Sequence, residues 1–235
     1  MKVVVVMPTY NEAENLPAIV SAVLDLSVDG MNVLVVDDNS PDGTGEMAES
    51  LATRYDGRVH VLHRPEKQGL GPAYVQGFRK AIALGADYVV EMDADFSHKP
   101  DYIPQFLAAI KEYDVVVGSR YVPGGGVDAN WSVVRKFVSW WGSVYSRLVL
   151  GLQVHDATGG FKCFRASALA GLDLEKMRSQ GYAFQIEINY ACQKKGYRIA
   201  EIPIQFPDRT RGKSKMSAKI ALEAAWRVWE IKWRY

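Results

Sequence analysis

Tyr88-Val89-Val90-Glu91-Met92-Asp93-Ala94-Asp95 is the stretch on which the fold turns. Its apolar start reads as a short buried strand, and two carboxylates arrive at the strand's C-terminal end. Residues two apart share one side of a strand, so Asp93 and Asp95 can face one small volume. Unaided, they repel and both resist ionisation. A divalent cation relieves that conflict, and hard oxygen ligands suit Mg²⁺ or Mn²⁺. Such an ion keeps positions open for water and phosphate oxygens, so the pair suits a metal–diphosphate seat. A solvated loop after a strand is the competing interpretation.

Working outward, the neighbouring segments repeat one pattern. Apolar runs at residues 2–7, 33–36, 59–62 and 115–117 read as further strands. Between them, apolar residues recur at helical spacing: Leu16, Ile19, Val20 and Val23; Met47 and Leu51; Tyr74, Val75, Phe78 and Ile82. Asn11 is the expected N-cap of the first helix, and Pro100 opens a helix running to about Glu112. Strand–helix alternation implies an α/β fold with a mostly parallel central sheet flanked by helices. Ligands bind such sheets outside the strands' carboxyl ends. The polar loops fall there: Pro8-Thr9-Tyr10-Asn11-Glu12, residues 37–42, residues 93–98, and Ser119-Arg120. Their convergence on one rim favours the metal–nucleotide reading over the solvated loop.

Past residue 120 the pattern changes. Gly124-Gly125-Gly126 suggests a mobile loop. Residues 131–150 form a long aromatic-rich helical stretch, residues 184–195 a helix, residues 199–206 one strand, and residues 217–235 a final helix. No repeat or linker divides the chain. Residues 1–235 are therefore expected as one domain, with a donor-nucleotide half (1–120) and an acceptor half (121–235).

Composition narrows the function classes. The chain has 235 residues, 48% hydrophobic and 23% charged, with net charge +1. That size supports a sizeable core, and the charge argues against a nucleic-acid partner. Cys163 and Cys192 are far apart and fit reduced thiols. No signal-peptide layout is present, and no stretch approaches the roughly 20 apolar residues of a membrane span. A cytoplasmic location is the resulting expectation.

Rival motifs fail. Tyr74 stands where a dinucleotide fingerprint starting at Gly69 needs its third glycine, and Pro207 where a P-loop ending at Gly212-Lys213-Ser214 needs its first. No nucleophile elbow is recognisable. His63, His98 and His155 are isolated, which fits hydrogen-bonded structural roles. Asp93 and Asp95 are too close in sequence to flank a sugar as a glycosidase pair would. Among the basic residues, Arg120 shares the carboxylates' rim, and Arg suits bidentate phosphate binding. The stretch from Arg209 to Lys215 can close over a diphosphate, with Gly212 as its flexible point.

Taken together, Pro8-Thr9-Tyr10-Asn11-Glu12, Val36-Asp37-Asp38-Asn39-Ser40-Pro41-Asp42-Gly43-Thr44, Met92-Asp93-Ala94-Asp95-Phe96-Ser97-His98 and Gly118-Ser119-Arg120-Tyr121 resemble the polyprenol- (dolichol-) phosphate mannosyltransferases of glycosyltransferase family 2. Gly159-Gly160-Phe161, Gly181-Tyr182-Ala183-Phe184-Gln185-Ile186-Glu187 and the Asp208–Lys215 region continue the match across almost the whole chain. The resemblance implies a nucleotide-diphospho-sugar transferase fold of the GT-A type. It also implies GDP-mannose as donor, a polyprenyl or dolichyl phosphate as acceptor, inversion at the sugar carbon, and Mg²⁺ or Mn²⁺.

Carried onto this sequence, Pro8, Tyr10, Glu12, Val36 and Asp38 contact the nucleoside. Asp93 and Asp95 serve metal and diphosphate, with Ala94 lining the site, and Arg209 and Lys215 meet the donor phosphates. Arg120 and Arg135 meet the acceptor phosphate, Arg120 joining the two carboxylates as catalytic. Ser97, grouped with the metal ligands and the acceptor contacts, stands where the family often has Gln and would reach a metal through water. Many members carry C-terminal membrane helices that have no counterpart here. Contact with a membrane surface would then be interfacial, through the aromatic stripe of the last helix, or through a separate membrane-anchor protein. A UDP-glucose-dependent lipid-phosphate glucosyltransferase and a non-catalytic nucleotide-binding partner are the alternatives.

Overall fold

The computed structural model describes residues 1–207 and 218–235, with side chains of the last helix from Trp226 onward. Strands β1 (Val3–Thr9), β2 (Met31–Asp37), β3 (Val59–His63), β4 (Tyr88–Glu91) and β5 (Val115–Ser119) match the expected runs closely. Helices α1 (Leu16–Leu24), α2 (Thr44–Arg54) and α3 (Leu70–Ala83) connect the first four, and α4 (Ile103–Ala109) precedes β5. The second half adds β6 (Gly126–Val127), α5 (Val133–Leu150), β7 (Lys162–Arg165) and α6 (Ala166–Ala170). It closes with α7 (Gly181–Lys194), β8 (Ile199–Pro203), β9 (Gln205–Phe206) and α8 (Ala218–Arg234).

The main sheet runs β3-β2-β1-β4-β7-β5-β8. All neighbours are parallel except β7, which runs antiparallel between β4 and β5. Chain order reverses between β1 and β4, the position where doubly wound sheets bind ligands at the strand ends. Strand alternation sorts the core into two layers. Val4, Val6, Leu34 and Val36 meet α3 and α7 through Phe78 and Phe184. Val3, Val5, Val33 and Val35 meet α1, α2 and α4. The sheet is buried on both faces, which is why its strands read as unbroken apolar runs.

Gly77 decides how close α3 lies to β1. A Cβ there would stand 2.4 Å from Val6 Cγ1, so a larger residue would push the helix off the sheet. That close approach holds Tyr74, one turn earlier, against the end of β4.

Several local expectations are corrected. Asn15, not Asn11, precedes α1; Asn11 adopts φ 61 in the turn after β1, and its N–H donates to Ser40 Oγ. The helix expected from Pro100 to about Glu112 is a 3₁₀ turn, Pro100–Tyr102, followed by α4, which ends at Ala109. The strand expected over 199–206 breaks at Ile204 into β8 and β9. The triple glycine is not a free loop: Gly126 N–H donates to Ile204 O, and Gly126–Val127 pairs with β9. Gly125 is required by packing, since a Cβ would lie 2.5 Å from Ser119 O.

Candidate active site

The carboxyl ends of β1, β2, β4 and β5 carry the expected rim. Asp37 ties two of them together, its carboxylate accepting from Thr9 Oγ1 (3.2 Å), Ser40 Oγ (2.6 Å) and the Ser40 N–H (3.1 Å). The neighbouring Asp38 is buried and ion-paired with Arg64, whose Nη2 also donates to Gln68 Oε1 at 3.1 Å. Burial raises the Asp38 pKa, and the Arg64 guanidinium opposes the rise without cancelling it. The Glu12 N–H donates to Thr44 Oγ1 at 2.9 Å, placing Glu12 against the start of α2. Tyr10 is exposed, with Lys67 Nζ 3.6 Å from its ring centroid. Pro8 lies in β1, paired with Val36 in register. Val36 and Ala94 are buried side chains of the apolar core, so what they present to a ligand is backbone.

Asp93 and Asp95 follow β4 in a turn, and each is held by its own set of donors. Asp93 Oδ1 accepts from the buried Tyr74 hydroxyl at 2.9 Å. The Asp93 N–H donates to His98 Nδ1 at 3.0 Å, which places the neutral ring's proton on Nε2. Burial lowers the His98 pKa against the pull of both aspartates, and its ring stacks on Phe161 with centroids 4.9 Å apart. Asp95 Oδ1 accepts from the Ser97 N–H (3.0 Å) and Ser97 Oγ (2.5 Å) across Phe96, whose φ is 62. Its buried hydroxyl donates to Asp95 and so orients that carboxylate, while its oxygen keeps its lone pairs. The anionic oxygen donors in this turn are the two carboxylates, and no cluster of three His, Cys, Asp or Glu exists among the described residues. Two carboxylates fit an ion that completes its shell with diphosphate and water.

Beneath the turn lies a buried polar layer. Glu91, the last residue of β4, accepts from Gln185 Nε2 and faces Lys162 Nζ at 3.6 Å. Lys162 also donates to Gly159 O at 2.5 Å and to Gln185 Oε1. Burial pushes the Glu91 carboxyl up to about 7 despite Lys162. β7 supplies Lys162, so the antiparallel strand completes the floor of the site.

Arg120 departs most from its expectation. It is buried and its fork is closed on Asp156: Nε donates to Oδ2 and Nη2 to Oδ1, both at 2.7 Å, and Nη2 also donates to Thr158 Oγ1 at 2.8 Å. Burial alone would lower its pKa, but Asp156 outweighs burial and holds it above its ordinary value. In this arrangement Arg120 braces the rim through Nε and Nη2, while Nη1 meets only Ser139 Oγ among the described residues, at 3.5 Å. Arg135 lies in the first turn of α5, its N–H capped by Ser132 Oγ at 3.3 Å and its guanidinium 3.6 Å from the Trp131 ring centroid. Arg209 and Lys215 lie outside the described residues.

Residues 4–172 match the profile of Glycosyl transferase family 2. The chain belongs to glycosyltransferase family 2. It is 48% identical over 224 residues to an undecaprenyl-phosphate mannosyltransferase of Micrococcus luteus, covering 95% of this chain and 91% of the relative. It is 44% identical over 236 residues to a polyprenol monophosphomannose synthase of Mycolicibacterium smegmatis, covering 99% and 88%. Among solved structures, mannosyl-3-phosphoglycerate synthase from Rubrobacter xylanophilus superposes with TM-score 0.68 at 18% identity, over 99% of this chain and 73% of that one. A glucosyl-3-phosphoglycerate synthase of Mycobacterium tuberculosis, solved with Mn²⁺, UDP-glucose and phosphoglyceric acid, gives 0.63 at 17%, over 98% and 78%. These likenesses bear out the sugar-nucleotide transferase fold expected from the motifs.

For this family-2 transferase, sequence reasoning missed several residues that shape the site. Tyr74 reads as one more apolar position on α3, and Asp156 as part of a turn. Glu91 and Lys162 sit in runs that read as apolar strand or loop. Their roles come from pairings across 19 to 94 positions, which local spacing does not signal.

Proposed function

We propose that this glycosyltransferase moves mannose from GDP-mannose to a polyprenyl phosphate, inverting the sugar carbon. The observation that carries this is similarity over nearly the whole chain to two enzymes named for polyprenyl-phosphate mannose synthesis. It coincides with a paired-carboxylate turn at the sheet's switch point.

The chemistry needs no activated side-chain nucleophile. An acceptor phosphate oxygen, anionic at neutral pH, attacks mannose C1 as the bond to the GDP oxygen breaks, and that bond's electron pair leaves on the diphosphate. Asp93 and Asp95 would hold Mg²⁺ or Mn²⁺, which supplies charge stabilisation for the leaving diphosphate. Tyr74 and Ser97 fix the carboxylates' orientation. Asp38, Glu12 and Tyr10 line the nucleoside end, and Arg209 and Lys215 are the expected donor-phosphate cations. Arg135 positions the acceptor phosphate and offsets its repulsion from the donor, and Arg120 braces the rim through Asp156.

A lipid acceptor requires access to a membrane, and the surface supplies a face for it. Helices α5 and α8 pack side by side, joined by Trp229 Nε1 donating to Tyr145 Oη at 2.9 Å. Val228 and Ile231 turn inward, while Trp226 and Trp233 are 60% and 70% exposed. Beside them α5 exposes Val133, Val134, Phe137, Trp140 and Trp141. No helix among the described residues is long and apolar enough to cross a membrane. Aromatic side chains favour the headgroup boundary, so we propose, as part of the same reading, that this face lies in the plane of a lipid surface, on its cytoplasmic side.

The test is purified protein with radiolabelled GDP-mannose, a polyprenyl phosphate in vesicles, and Mg²⁺ or Mn²⁺, followed by analysis of the lipid product. Polyprenyl-phosphate mannose is expected. Faster transfer from UDP-glucose, or donor binding with no transfer from either nucleotide, would overturn the reading.

A further inference from the structure

Among the described residues, Trp131 carries a hydrogen-bond donor with no acceptor. It is 6% exposed, and its indole Nε1, the only polar atom of the side chain, has no hydrogen-bond partner among the described residues. A buried donor without an acceptor is costly, and in native proteins it calls for an explanation, a bound group among them. The other unpaired buried atoms belong to groups with further polar atoms. Arg64 Nε and Arg147 Nε sit on guanidinium groups, Glu91 Oε2 faces Lys162, and the Asn189 amide donates to Ala157 O.

The surroundings of Trp131 identify the class of group that fits. The Arg135 guanidinium lies 3.6 Å from its ring centroid. Ser132, the next residue, caps the 18-residue helix α5, whose N-terminal N–H groups favour an anion. The indole also meets Phe206 edge-on at 5.8 Å, and Phe206 meets His98 at 5.5 Å. His98 in turn accepts from the Asp93 N–H. Trp131 therefore begins a row of rings that runs from the acceptor half to the carboxylate turn. A cation, a helix start and an unpaired neutral donor in one place suit a phosphate monoester.

We propose that the Trp131 indole N–H donates to the phosphate of the lipid acceptor while its ring face holds Arg135 in position. This rests on the acceptor assignment made above. A neutral donor holds one phosphate oxygen without adding charge that would blunt the attacking one. It also selects a prenyl phosphate over the corresponding alcohol.

The experiment follows the indole ¹⁵N–¹H resonances of the full-length protein, with the Trp131 signal assigned from Trp131→Phe. Farnesyl phosphate is the probe, and farnesol and inorganic phosphate at equal concentration are controls. The Trp131 signal shifts with farnesyl phosphate and stays in place with either control. In parallel, Trp131→Phe keeps the ring and removes the N–H. It raises KM for farnesyl phosphate about tenfold, as loss of one hydrogen bond to a charged group implies, and leaves KM for GDP-mannose and the melting temperature unchanged. An unmoved Trp131 signal with a wild-type KM in the variant overturns the proposal, and so does an equal shift with inorganic phosphate. Absence of mannose transfer by the wild type, with the Trp131 signal still shifting, instead overturns the donor reading and leaves this contact standing.

Discussion

The Tyr74 hydroxyl donates to Asp93 Oδ1 at 2.9 Å from a side chain that is wholly buried between Phe78 and Phe184. Burial, the Asp93 charge and that hydrogen bond all drive the Tyr74 pKa well above its ordinary value, so it remains a donor. A rigid aromatic wall thus sets the direction of the first carboxylate in the turn.

Tyr74→Phe keeps the ring stack and releases Asp93. Outer-shell partners of metal ligands typically matter by about 10–100-fold in affinity. Mn²⁺ affinity in the presence of GDP, read by electron paramagnetic resonance, should fall within that range while the melting temperature holds. Unchanged Mn²⁺ affinity would show that Asp93 is oriented without Tyr74.

Asp95→Asn tests the carboxylate pair itself. The amide keeps the shape and can still accept from Ser97, but it removes a charge from the cation seat. Turnover should drop by about two orders of magnitude or more, the usual scale for losing one preorganised electrostatic contact. Wild-type protein in excess EDTA should behave alike. Full activity in either experiment would exclude this pair as the cation site.

Arg120 and Asp156 should govern stability. Arg120→Ala leaves a buried carboxylate unpaired, a change typically worth about 3–5 kcal/mol, and Arg120→Lys cannot restore the two-pronged bond. Burial pushes the Asp156 pKa up, but the Arg120 charge and hydrogen bonds outweigh burial and hold it below the ordinary value. Its stabilising contribution is therefore present above the unfolded-state pKa and is lost as pH falls through the lowered folded one. Denaturant melts between neutral and strongly acid pH should show less acid dependence in Asp156→Asn than in wild type. A thermally neutral Arg120→Ala would instead leave the guanidinium available for substrate.

Trp226 and Trp233 carry the exposed aromatic face of α8, with ring centroids 6.2 Å apart. Replacing both with Ser should reduce vesicle co-sedimentation by at least about tenfold, given the apolar area withdrawn from the lipid boundary. Circular dichroism should be unchanged, because Val228 and Ile231 make the inward contact. The rate on long-chain lipid should fall, and that on a short soluble acceptor should persist. Equal loss on both acceptors would assign the two tryptophans to the active fold itself.

The sequence by itself determined the layered α/β fold and the rim. Unbroken β-branched runs such as Val3-Val4-Val5-Val6, too short for helices, read as strands buried on both faces, and the helical periodicity between them favours parallel crossovers. Once those are set, Asp37, Asp93 and Ser119 must arrive at one edge. Short-range chemistry decides such features, and short-range chemistry is legible in order along the chain. The tertiary structure alone decided which partners the polar side chains take. Lys162 to Arg165 became an antiparallel strand because β4 and β5 offered edges to pair with, and four residues carry too little pattern to announce that. Arg120 pairs with Asp156, 36 positions away, and Ser97 with Asp95, partners that spacing alone does not name. The tryptophans of α8 faced outward because Val228 and Ile231 took the inner side against the core. A charged or aromatic side chain is compatible with several environments, and only the packed neighbours select among them.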